Sequence, residues 1–183
     1  MCVATVRGWG QFYGMNFRAK ILGPDGLRAW RDELRREGRR LVVTNGCFDL
    51  LHAGHVTYLE NARNLGDALL VGLNSDASVR RLKGEGRPVN SEQDRAQVLA
   101  ALESVSAVVL FPETSAAAFL QRAEPDVYVK GADYDLQKMN QEERRIVEGF
   151  GGEIRFLSFV EGRSTTNLIN RMGKPAGGAG PGV

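Results

Sequence analysis

Cysteine is scarce: Cys2 and Cys47 are the only two in 183 residues, too few and too poorly placed for a disulfide framework or a zinc cluster. A reducing, cytoplasmic setting is expected. No stretch approaches the roughly 18 consecutive apolar residues of a membrane helix, and residues 1–20 lack the continuous apolar run of a signal peptide. Charge of one sign is missing too, with 24 Lys plus Arg against 22 Asp plus Glu. No one-sign field exists to recruit nucleic acid or an anionic membrane, and no basic strand studded with aromatics suggests RNA binding. Phosphate-binding charge must therefore be local. Arg35, Arg36, Arg39 and Arg40 do cluster, but Glu33 and Glu37 interleave with them as on a solvated helix face.

What is present is a chain 43% hydrophobic, long enough for one globular domain that buries about two-thirds of its unfolded surface. Leu27, Trp30 and Leu34 recur at helical spacing within 23–40, with Pro24 and Asp25 at the start and Gly38 as terminator. Five short apolar runs follow, at 41–44, 68–73, 107–111, 127–129 and 154–157, each long enough for one buried strand. Helical patterns lie between them at 54–65, 76–82, 91–102, 115–123 and 140–150. This alternation predicts an α/β domain with a five-stranded, mostly parallel sheet flanked by helices, whose ligands bind beyond the carboxyl ends of the strands. The domain is placed at 21–172, after an extension of uncertain order at 1–20. The Gly- and Pro-rich tail at 173–183 is expected to be disordered.

The first long strand runs into Thr44-Asn45-Gly46-Cys47-Phe48-Asp49-Leu50-Leu51-His52-Ala53-Gly54-His55, a glycine-containing turn that opens a helix and can face an anion with its backbone amides. His52 and His55, the only histidines, stand three apart, so both imidazoles lie toward one side over the helix's positive end. A zinc pair is the rival interpretation, but zinc wants three or four protein ligands and no others stand nearby. Far along the chain, Arg163-Ser164-Thr165-Thr166 precedes a helical pattern; its hydroxyls can cap amides or donate to phosphate, with Arg163 as a charged donor. Arg87 and Arg95 are further phosphate candidates, although Arg95 can equally pair on a helix surface with Glu92 or Asp94. Asp49 and Asp133 follow strands and suit a sugar hydroxyl or an ordinary turn.

His52-x-Gly54-His55 resembles the H-x-G-H signature of the nucleotidyltransferases related to class I tRNA synthetases, and Ser164-Thr165-Thr166 resembles the second signature of the cytidylyltransferase-like branch. With Asn74-Ser75-Asp76, Ser78 to Gly84, Arg87-Pro88-Val89-Asn90 and Val129-Lys130-Gly131-Ala132-Asp133-Tyr134, the chain resembles the D-glycero-β-D-manno-heptose 1-phosphate adenylyltransferase family. Between Tyr134 and Gly151 it departs from that family's pattern. The resemblance implies a Rossmann-like fold and transfer of AMP from ATP, accompanied by Mg²⁺, to the heptose 1-phosphate, yielding ADP-heptose for lipopolysaccharide and pyrophosphate. It implies catalytic roles for His52, His55 and Lys83. It assigns the nucleotide to Thr44, Asn45, Gly46, Cys47, Phe48, Gly54, His55, Asn74, Arg95, Gly131, Arg163, Ser164, Thr165 and Thr166. The sugar phosphate falls to Asp49, Lys83, Arg87 and Asp133, with no protein metal site. A homodimer and a pathway link to a separate heptose 7-phosphate kinase are expected by the same resemblance.

The implied reaction needs no general base, because a phosphate monoester is already an anion near neutral pH. In-line positioning and stabilisation of charge on the phosphates remain as the protein's tasks. Two alternatives stay open: a cytidylyltransferase acting on glycerol 3-phosphate or another small phosphate, and a non-catalytic nucleotide-binding module that partners a separate kinase.

Overall fold

The computed structural model describes residues 16–131 and 135–158. A short 3-10 helix, Phe17–Lys20, leads into β1 (Ile21–Leu22) and α1 (Pro24–Arg36). There follow β2 (Leu41–Gly46), α2 (Ala53–Arg63), β3 (Ala68–Asn74), α3 (Asp76–Lys83), α4 (Glu92–Ala100), β4 (Ala107–Phe111), α5 (Ala117–Ala123), β5 (Val127–Gly131), α6 (Gln141–Gly149) and β6 (Glu153–Leu157). One sheet of order β1-β4-β3-β2-β5-β6 contains them, and every pairing is parallel. It has six strands, not the five expected. The additional β1 pairs only Ile21 and Leu22 with Val108 and Val109, too short for an apolar run to announce it. Lys20 secures this edge by donating through Nζ to the carbonyls of Leu102 and Val105 at 3.1 and 2.8 Å.

The strands read as near-continuous apolar runs because helices cover both faces. On one face Leu41, Val43, Leu70, Val109 and Tyr128 pack with Leu27 and Leu34 of α1, Phe119 and Leu120 of α5 and Val147 of α6. On the other, Val42, Leu69, Val71, Val108 and Val129 pack with Tyr58 and Leu59 of α2 and Leu99 of α4. Gly38, at φ +67°, ends α1: its amide donates to the Arg35 carbonyl and that of Arg39 to Leu34, the paired bonds of a glycine stop. Ser75, Ser91 and Asn140 accept amide hydrogen bonds at the starts of α3, α4 and α6, satisfying donors a helix leaves open.

The amino ends of the central strands are stitched by side chains. Asp67 Oδ2 accepts from the Arg40 amide at 2.8 Å and Asp126 Oδ2 from the Leu41 amide at 2.6 Å. Ser106 Oγ accepts from the Leu69 amide at 3.1 Å, and Arg31 holds Asp126 Oδ1 at 3.0 Å and the Glu124 carbonyl. Mid-sheet, Gly72 leaves room for the Phe119 ring, whose Cε1 would lie 2.5 Å from an added Cβ. Gly72→Ala is therefore expected to destabilise by about 1–3 kcal/mol through overpacking. Urea unfolding checks this; an unchanged midpoint would mean Phe119 is not seated there.

Strand order runs outward from β2 in both directions, through β3 and β4 on one side and β5 and β6 on the other. The carboxyl ends of β2 and β5 consequently flank a topological switch point, where open parallel sheets leave a crevice.

Candidate functional site

The chain leaves β2 through a turn whose backbone bends sharply at Phe48, a non-glycine residue at φ +42°. Left-handed backbone at a bulky residue stores strain and concentrates at functional sites. Here it folds the phenyl ring back over Gly46, where an added Cβ would sit 3.0 Å from Phe48 Cε2. The same ring lies tilted against His55, with centroids 5.4 Å apart. His52 is the N-cap of α2, and its carbonyl accepts from the amides of His55 and Val56 at 2.8 and 3.2 Å. Its extended backbone brings its ring onto that of His55, stacked at 3.9 Å with planes 21° apart. Spacing in sequence thus becomes contact in space, at the positive end of an 11-residue helix.

His55 is held neutral. Its Nδ1 is buried and has no hydrogen-bond partner among the described residues. Burial first, and then repulsion from His52, lower its pKa from 6.5 to about 4. A base whose folded pKa is depressed leaves stability intact above its unfolded pKa and removes it as pH falls below, because the unfolded chain takes up the proton first. Stability should fall by about 2 kcal/mol between pH 6.5 and 4, allowing for partial exposure of the ring. Chemical denaturation at pH 7.0 and 4.5 tests this; a slope that persists in His55→Ala would assign the loss elsewhere.

Around Cys47 the other charged groups gather. Burial pushes its thiol up, Lys83, Arg95 and Arg87 pull it down, and Asp49 pushes it up. Lys83 is exposed at the end of α3, and the glycine-bearing loop that follows returns through residues 84–90 to Asp49. There Asp49, buried, accepts from the amides of Val89 and Asn90 at 2.7 and 3.2 Å and from Arg87 Nε at 2.5 Å. Asn90 Nδ2 donates in return to the Asp49 carbonyl at 3.1 Å. The carboxylate therefore acts as a latch that brings the Lys83–Arg87 segment beside the histidine turn.

Arg95 is not a surface residue pairing with Glu92 or Asp94. Only 2% exposed, it donates to the carbonyls of Asn90, Cys47 and Asn74 and forms an ion pair with Asp76 at 2.7 Å. Its face of α4 points into the protein, so its partners come from three other segments. Thr44 is likewise buried: its hydroxyl and that of Tyr58 are hydrogen-bonded to each other at 2.8 Å and lie 3.0 and 3.1 Å from the Val129 carbonyl, which accepts from the hydroxyl whose proton the pair leaves over. Asn74 donates to Ser78 Oγ and the Glu113 carbonyl. Gly54 is buried in the first turn of α2, and Gly131 ends β5 beside the crevice. Asp133, Arg163, Ser164, Thr165 and Thr166 lie outside the described residues.

Sequence reasoning singled out Asn45 but not the group it joins across β2 and β5, with Tyr128, Lys130 and Glu143. Lys130 and Glu143 make a largely buried ion pair at 3.5 Å, and Asn45 Oδ1 accepts from Tyr128 at 2.6 Å. The Val-Lys-Gly segment was the available signal for Lys130; Glu143 had none. Among the described residues no three His, Cys, Asp or Glu side chains gather to hold a metal, and no helix is long and apolar enough to cross a membrane.

The cytidylyltransferase-like family model matches residues 43–171. The bifunctional protein HldE of Methylobacillus flagellatus is 52% identical over 154 residues, covering 84% of this chain and 31% of that protein. HldE of Geobacter metallireducens is 46% identical over 169 residues, covering 92% and 34%. The chain thus spans about a third of the length of the curated relatives it matches. Among solved structures, a lipopolysaccharide core biosynthesis protein from Thermoplasma volcanium superposes with a TM-score of 0.55 at 27% identity, covering 67% of this chain and 98% of that one. Pantoate-beta-alanine ligase from Francisella tularensis shares the fold alone, with a TM-score of 0.56 at 16% identity over 80% of this chain and 68% of that one.

Proposed function

This chain belongs to the cytidylyltransferase-like family, and from that premise we propose that it transfers AMP from Mg·ATP to D-glycero-β-D-manno-heptose 1-phosphate, releasing pyrophosphate. The observation that carries the proposal is the stacked pair His52 and His55 at the amino end of α2, in the turn that follows the carboxyl end of β2. The heptose is supported by relatives named for bifunctional HldE at 46–52% identity and by likeness to a lipopolysaccharide core biosynthesis protein.

The acceptor phosphate oxygen attacks the α-phosphorus of ATP, and the bond to the bridging oxygen of pyrophosphate breaks. His52 and His55 donate N–H hydrogen bonds to phosphate oxygens as negative charge moves toward the leaving group, assisted by the amides of α2's first turn. A neutral imidazole still donates through one nitrogen, and the approach of a polyanion draws a proton toward it. Lys83 and Arg87, gathered by Asp49, supply the cationic side of the crevice to the sugar phosphate. Arg95 acts indirectly, by holding the Cys47 carbonyl and hence the turn. Asn45, Gly46, Cys47 and Phe48 line the nucleotide's side, and Arg163, Ser164, Thr165 and Thr166 would add phosphate donors. Mg²⁺ arrives on the triphosphate and keeps most of its water. A homodimer and a link to a separate heptose 7-phosphate kinase form part of the proposal.

Pyrophosphate release is the test, with Mg·ATP or Mg·CTP, each with and without heptose 1-phosphate. Release that requires both ATP and the heptose phosphate is expected. Preference for CTP would replace the adenylyltransferase with a cytidylyltransferase. Nucleotide binding without release, whatever the acceptor, would replace it with a binding module.

A further inference from the structure

Phe48 occupies backbone that suits glycine. Its φ of +42° falls in the left-handed region, where a bulky side chain is strained and glycine is not. Strain of this kind lasts only where the surroundings over-determine it, and both neighbours of Phe48 are tied. The Cys47 carbonyl accepts from Arg95 Nη1 at 2.5 Å. The Asp49 carboxylate accepts from the Val89 and Asn90 amides and from Arg87, and the Asp49 carbonyl accepts from Asn90 Nδ2. Helix α4 on one side and the 87–90 loop on the other thereby hold the bend between them.

Glycine would take this bend without strain, and it would leave nothing against His55. The Phe48 ring is 8% exposed and joins the apolar cluster on that face of the sheet. It lies over Gly46, where an added Cβ would come within 3.0, 3.4 and 3.5 Å of Cε2, Cδ2 and Cζ, so the bare end of β2 is what lets the ring lie flat. From there it meets the His55 imidazole, with centroids 5.4 Å apart and planes at 60°. Burial is the larger cause of the neutral state of His55, and the charge of His52, stacked on it, is the second. The charges of Lys83, Arg87, Arg95 and Asp49 act on Cys47, one residue before Phe48. Water admitted where the phenyl ring stands would therefore reach a group whose protonation depends on being kept dry.

We propose that Phe48 is a positioning residue: its ring, set in place by the left-handed bend, seats the His55 imidazole in one orientation and keeps water from it, so that the donor meets the phosphates already aimed. This rests on the nucleotidyltransferase function proposed above. Phe48 then serves the nucleotide through His55 and not by a contact of its own. Without the ring face, His55 gains room to turn about its side-chain torsions and to hydrate, and a reacting group misplaced by about 1 Å can cost about 100-fold in rate.

Phe48→Leu tests the seating, because leucine keeps apolar bulk and the same backbone demand while removing the ring face. The kcat of pyrophosphate release is expected to fall about tenfold, with KM for ATP changed less than about twofold. The chain has two histidines, so the His55 ring-proton NMR signal is assigned by its loss in His55→Ala. In the unaltered protein that signal should stay nearly still between about pH 7.5 and 5.5, since its pKa lies at about 4; in Phe48→Leu it should shift measurably over the same range. In a His55→Ala background Phe48→Leu should lower kcat less than about twofold, since residues acting through one group are not additive. Equal losses in both backgrounds, or a His55 signal as still as in the unaltered protein, would overturn the proposal and leave Phe48 a packing residue. If Phe48→Leu does not fold, Phe48→Gly, which takes the bend without strain, should show the same loss and the same titration; if neither folds, the ring belongs to the core first and the proposal falls. A protein that releases no pyrophosphate, yet whose His55 signal moves with pH only in the variant, would sink the transferase function and leave the seating of His55 by Phe48 standing.

Discussion

His55→Ala is expected to lower kcat by about 100- to 1,000-fold, the usual cost of deleting one preorganised donor to developing charge. The substitution removes a ring that stacks on His52 at 3.9 Å and leans on Phe48, so the other imidazole also loses a stacking contact. KM for ATP should change by much less than kcat, because the contact strengthens as charge moves toward pyrophosphate. The fold should survive, since the ring lies at the rim of the core and an alanine suits the first turn of α2. Thermal melting should be run at pH 8, where the neutral form of His55 predominates with or without the fold's influence on its pKa. Steady-state pyrophosphate release then measures the chemistry; a variant retaining more than about a tenth of the rate would show that His55 does not touch the reacting phosphates.

Arg95→Ala is expected to cost about 3–5 kcal/mol of stability, the range for breaking a buried charge pair from one side. Its guanidinium joins four places: the loop at Asn90, the histidine turn at Cys47, the end of β3 at Asn74 and the start of α3 at Asp76. Removal leaves three carbonyls without this donor and the Asp76 carboxylate without its cation. For a domain of this size the melting temperature should drop by about 10 °C. Arg95→Lys should recover only part of the loss, because a compact ammonium cannot span sites that a planar fork reaches together. A fall of less than about 1 kcal/mol would mean that these bonds contribute little net stability.

The parts of this fold that the sequence makes legible are those governed by neighbours close in the chain. Strands β2 to β5 are short apolar runs because both faces of each are covered, and Gly38 stops α1 through a left-handed backbone that glycine adopts without strain. The histidine pair is legible for the same reason, since three residues set the contact. Strand β1 is not, because two residues carry no period. Arg95 misleads because the acidic residues close to it in the chain are Glu92 and Asp94, whereas its ionic partner, Asp76, stands 19 residues away. Asn45 and Tyr128, 83 residues apart, meet only because β2 and β5 become neighbours. Glu143 sits among Glu142, Arg144 and Arg145, with nothing local to mark it as buried.

The stitching of the amino ends by Asp67, Ser106, Asp126 and Arg31 bears on how such a protein can be altered. Strand pairing is fastened at one end of the sheet, while on the function proposed above recognition belongs to turns at the other. Loops following β2 and β3 can accordingly be lengthened, shortened or exchanged with little penalty to assembly, provided the Asp49 latch and the Arg95 junction are kept. On the function proposed above, a library aimed at a new sugar acceptor would do well to diversify 84–86 and leave Arg87, 39–41, 67–69 and 124–127 untouched. The same polarity gives redesign a handle, since acceptor preference and folding yield are then adjustable from separate sets of positions.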